Sequence, residues 1–176
     1  MLSNRKTVFS SLLVAALALP TASYALAAPA AVDAATQAPR GDGVRTVKPG
    51  EKIKVGSGTT LWLNRTGYCF LDAGIRTCKD LFDENHGGIP DKGGYLGMQT
   101  HGDRGELRVV GSYRGQGTVA RITVDYRGKR SNASLVKLAR AKGWVVLYTA
   151  LPAGPGPQQP RLTAYDAAGK VLATLG

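Results

Sequence analysis

Thr118 to Tyr126 alternates along its whole length. Ala120, Ile122, Val124 and Tyr126 fall on one side, and Val119, Arg121, Thr123 and Asp125 on the other. A period of two belongs to a half-buried strand, because successive side chains of extended backbone point to opposite faces. Shorter pieces of the same kind recur at Lys52–Val55, Thr60–Leu63, Glu106–Tyr113, Arg161–Asp166 and Lys170–Leu175. In Thr60–Leu63, Leu61 and Leu63 share a face and Trp62 takes the other. Trp144–Tyr148 is apolar throughout and rich in β-branched and aromatic residues, which suits a strand covered on both faces. Ser134–Arg140 is short and lies between strong turns, so it reads as a strand rather than a helix.

Turn chemistry separates these pieces at regular intervals. Gly56-Ser57-Gly58, Arg114–Gly117, Arg127–Arg130, Ala141–Gly143 and Ala167-Ala168-Gly169 carry the residues that reverse a chain. Regular short strands with glycine-rich turns predict an all-β fold, either an antiparallel, immunoglobulin-like sandwich or a small barrel. The weakest strand signal lies in the glycine-rich run from residue 80 to residue 102, which reads as a long loop available for specificity.

Cys69 and Cys78 are the only cysteines. Ala73-Gly74 lies midway between them. A two-residue hairpin loop there puts Cys69 opposite Cys78 as a non-hydrogen-bonded pair, within disulfide reach. A three-residue loop would shift the register and misalign them. The pairing predicts one hairpin disulfide, worth about 2.5–3 kcal/mol in chain entropy for so short a loop.

The amino terminus sets where such a domain works. Arg5 and Lys6 precede a twelve-residue apolar run, Val8–Leu19, which Pro20 breaks, and Ala25-Leu26-Ala27 follows with small side chains at its ends. This is the pattern of a bacterial secretory signal peptide cut after Ala27, with Ala30 as the next candidate. Twelve residues are too few to span a bilayer, and no longer apolar stretch follows, so no membrane span is expected. The reading is therefore a signal peptide at 1–27, a flexible Ala/Pro-rich leader at 28–43, and a single β domain at 44–176. The product is expected outside the cytoplasmic membrane as a monomer.

The formal net charge is +11, and removal of Arg5 and Lys6 with the signal leaves +9. Ten cations fall between Arg104 and Lys142. The turn Arg127, Lys129 and Arg130, joined by Lys142 from a neighbouring turn, forms the candidate anion-binding cluster. Export makes an anionic cell-envelope polymer the expected partner, or an extracellular protein, and argues against nucleic acid.

Catalytic patterns are thin. Ser57 lacks the glycine two positions before it that a Gly-x-Ser-x-Gly elbow needs. His86 and His101 have Asp83, Glu84, Asp91 and Asp103 nearby, but their spacing matches no metal signature. Trp62 and Trp144 read as core rather than sugar platforms, and no nucleotide loop is present. The expected function is a secreted, non-catalytic binding module at the cell envelope, without cofactor or metal. The alternatives are an inhibitor of an extracellular hydrolase, with the 80–102 loop as its plug, and a small hydrolase using His86 or His101.

Overall fold

The computed structural model describes residues 43–83, 92–103, 105–156 and 158–176. The expected export signal and nearly all of the expected leader lie outside the described residues, as do Glu84, His86, Asp91 and Arg104. The described residues form thirteen strands and no helix. Among the described residues no helix is long and apolar enough to cross a membrane.

Sheet formation begins with hairpins. β2 (Ile53–Val55) and β3 (Thr59–Leu63) join through Gly56–Gly58, the expected tip, with Val55 facing Thr59. β4 (Gly67–Asp72) and β5 (Ile75–Asp80) join through Ala73-Gly74, both at positive φ (47° and 82°). That two-residue turn matches the right-handed twist of the strands. It fixes Cys69 opposite Cys78, which form the disulfide with Cα atoms 4.0 Å apart. β2-β3-β4-β5 make one four-stranded sheet, called here the disulfide sheet.

A five-stranded central sheet has the order β1 (Val44–Val47), β10 (Ser134–Leu138), β11 (Trp144–Pro152), β7 (Glu106–Gly115), β6 (Gly94–Asp103). The C-terminal sheet has the order β13 (Val171–Leu175), β12 (Arg161–Tyr165), β8 (Arg121–Tyr126), β9 (Lys129–Asn132). β12 and β13 close the hairpin expected over Ala167–Gly169.

The stacking of the sheets follows from which side chains share a core. Trp144, Val146 and Tyr148 of β11 pack with Ile53, Leu61, Leu63 and Phe70 of the disulfide sheet. Val145, Leu147 and Leu151 of the same strand pack with Ile122, Val124, Leu162 and Ala164 of the C-terminal sheet. The central sheet is thus covered on both faces, as the apolar run 144–148 requires.

Three expectations change. The sheets are open and do not close into a barrel, because three sheets stack as layers around two cores. This is also one layer more than the two of an immunoglobulin-like sandwich. The pairing is not wholly antiparallel, since β1 runs parallel to β10. Finally, nine of the 23 residues of the expected 80–102 loop lie in β6, a ten-residue strand paired along its length with β7. Gly94 of β6 and Gly111 of β7 serve close approach rather than turning. A Cβ on Gly94 would lie 2.3 Å from the Tyr113 ring, and one on Gly111 would lie 2.3 Å from the Gly97 carbonyl oxygen. Both distances are far inside contact, so these glycines let β6 and β7 lie together with Tyr113 buried between layers.

Candidate functional site

Arg127 and Gly128 form the two-residue turn between β8 and β9, with φ of 52° and 71°. Lys129 and Arg130 are therefore strand residues rather than turn residues. The turn aims the Arg127 guanidinium at the loop after β11. It donates to the Pro155 and Gly156 carbonyls, and it lies 5.4 Å from the Tyr126 ring. A Cβ on Gly154 would collide with this guanidinium, so the glycine makes the latch possible. Arg130 sits directly across from Asp125 and donates to both its oxygens, at 2.7 and 3.1 Å. That contact, aided by Arg161, holds the Asp125 carboxyl below its ordinary value. Lys129 is exposed and has no such partner among the described residues.

These three residues line a cleft of about 800 Å³ together with Ser57 and Glu106. Lys142 does not join them. It lies between β10 and β11, at the opposite end of β11 from the 153–156 loop that Arg127 grips.

A second polar group sits where the disulfide sheet meets the central sheet. Arg108 of β7 is buried, its side chain only 3% exposed, and points toward Asp72 at the end of β4. Its guanidinium lies 3.2 Å from Asp72, 2.8 Å from Asp103 and 3.5 Å from Glu106. Asp72 also accepts from the Thr59 hydroxyl at 2.6 Å. His101, across from Arg108 on β6, has Nδ1 3.5 Å from Asp72 and its ring edge-on to Phe70.

His101 therefore meets Asp72 and not Asp103, which Arg108 occupies. Its Nε2 is buried with no hydrogen-bond partner among the described residues. The Ser57 hydroxyl and amide both donate to Glu106, at 2.8 and 2.9 Å. The candidate nucleophile, base and acid thus belong to separate pairs. Among the described residues no group of three or more His, Cys, Asp or Glu could hold a metal ion. Chemically, this group is a buried cation serving three carboxylates.

The Ser57 amide, its hydroxyl and Arg108 hold the Glu106 carboxyl below its ordinary 4.5. The folded value lies below the unfolded one, so ionised Glu106 stabilises the fold above the unfolded value. That contribution fades as pH falls through the folded value. Glu106→Gln is expected to be less stable than the parent chain at about pH 7, with the difference shrinking toward about pH 3. Urea melts at the two pH values check this, and a pH-independent difference would contradict it.

The third place is a pocket of about 840 Å³ at the β10–β11 end. Buried Val47, Leu138 and Trp144 form its floor, and Phe82, 40% exposed, stands beside them. The Phe82 and Trp144 rings meet edge-on with centroids 6.3 Å apart. Lys48, Arg65, Arg140 and Lys142 line the same pocket and are all exposed. Among the described residues, none of these four side chains is in an ion pair. Glu51, the one acid among the described residues that line the pocket, already accepts from Arg45 at 2.5 Å and from the Lys48 amide at 2.9 Å. The Lys48 amide foremost holds its carboxyl below the ordinary value.

Of the candidate cluster, then, the structure brings Arg127, Lys129 and Arg130 together and puts Lys142 among Lys48, Arg65 and Arg140. The spacing 140–142 before Trp144 was the only local signal of this pocket. Lys48, Arg65 and Phe82 reach it from separate segments. No family model, curated protein or solved structure matches the chain.

Proposed function

We propose that this chain is an exported, non-catalytic binding module that contacts an anionic cell-envelope polymer. The observation that carries the reading is the convergence of Lys48, Arg65, Arg140 and Lys142 on one pocket where Glu51, the one acid among the described lining residues, is already engaged. Cations held close together in excess of acids raise the local concentration of a polyanion and release its counterions on contact. The Arg127–Arg130 turn supports the reading less well. Two of its three charges are committed, Arg127 to backbone carbonyls and Arg130 to Asp125. A non-catalytic role also fits the separate pairing of Ser57 and His101.

Retention of the exported chain on a phosphate-rich wall polymer is expected to fall steeply with salt. Four contacts predict a log–log slope of magnitude roughly 3. The double change Arg140→Glu and Lys142→Glu is expected to lower retention at least tenfold, and Lys129→Glu with Arg130→Glu to lower it less. Affinity chromatography across a salt series reads both. Retention untouched by the Arg140 and Lys142 pair would remove the proposal.

A further inference from the structure

We infer that the same pocket takes a single-chain anionic lipid, with its phosphate on the cations and its acyl chain across the apolar floor. The headgroup half of this inference rests on the anion-binding reading above, and the chain half rests on separate observations. Polymer phosphates need only exposed charge, and charge alone gives no reason for a concave apolar floor. Here Val47, Leu138 and Trp144 lie under an opening of about 840 Å³, and Phe82 remains 40% exposed beside them.

A concave, mostly apolar site with a few convergent polar groups is the usual form of a small-molecule site. Exposed charge above and buried hydrocarbon below match a molecule with those same two parts. The rim is complementary in sign, because Glu51 is engaged by Arg45 and by the Lys48 amide and leaves the four cations in excess. Burying methylenes strengthens binding about fourfold each, so three or four of them give about a hundredfold.

The probe is a lysophosphatidate with a brominated acyl chain, compared with glycerol phosphate, which has the head without the chain. The chain contains two tryptophans. Trp62 pairs with Cys69 on the far face of the disulfide sheet, under the Lys52 ammonium. In the full chain carrying Trp62→Phe, any tryptophan quenching therefore reports on Trp144.

Lysophosphatidate is expected to quench Trp144 and to bind at least a hundredfold tighter than glycerol phosphate. Phe82→Ser should weaken lysophosphatidate about tenfold and leave glycerol phosphate unchanged. Arg140→Glu with Lys142→Glu should weaken both. The inference is overturned if Trp144 is not quenched, if glycerol phosphate binds as tightly as the lipid, or if Phe82→Ser changes neither. Wall-polymer retention that persists under any of those results leaves the envelope reading standing alone. Lipid binding without polymer retention sinks the envelope reading and keeps this one.

Discussion

Replacing Arg108 with methionine is expected to cost about 3 kcal/mol of stability, toward the lower end for a buried charge pair that loses one partner. The methylene stem is largely kept, so the loss reports on charge. Asp72 is only 14% exposed and would be left with the Thr59 hydroxyl and His101. Asp103 is 56% exposed and returns to water, which is why the cost stays at the lower end. Urea denaturation reads the result as a lower midpoint at unchanged slope. A loss under about 1 kcal/mol would place Arg108 with ordinary surface ion pairs. Arg130→Met, which opens the exposed bridge to Asp125, is expected to cost far less.

Truncating one residue in each core gives the other large effect. Phe70→Ala and Leu147→Ala each remove a fully buried side chain and are expected to cost about 3–5 kcal/mol. Phe70 lies between the disulfide sheet and the central sheet, and Leu147 between the central sheet and the C-terminal sheet. Because β11 contributes to both cores, each variant is expected to unfold in one transition at a lowered midpoint. Two resolved transitions, or a Leu147→Ala chain that loses only the C-terminal sheet, would show that the layers are independent.

Local features of this fold were legible in the sequence. The 69–78 hairpin could be read because a two-residue turn fixes register over a few positions, and register alone brings the two sulfurs together. The burial of β11 could be read because a strand with no polar face must be covered twice. Long-range features were not legible. The start of the domain at Val44 was legible, but the parallel pairing of Val44–Val47 with β10 was not, because nothing in those four residues names a partner some ninety positions away. Alternation shows that one face of a strand is buried but does not show which sheet covers it, so the third layer stayed hidden. Arg108 reads as a solvent cation because its carboxylates arrive from β4, β6 and its own strand.

The same limit applied to the site. Counting charge along the chain selected Arg127, Lys129 and Arg130, but a count does not include the Pro155 carbonyl or Asp125. It placed Lys142 with them, although the length of β11 separates the two ends. Gly94 and Gly97 favoured a loop by propensity, and pairing with β7 overrode that preference.

The parallel partnership of β1 and β10 bears on the order in which the chain can assemble. Val44 meets Leu135, about ninety positions later. A ribosome delivers the amino-terminal end first, so that edge stays without a neighbour until most of the polypeptide has appeared. Contacts so distant along the chain slow folding. The outer edge of the middle layer therefore cannot close before Leu138 has been made, and until it closes β10 presents an open ladder on that side.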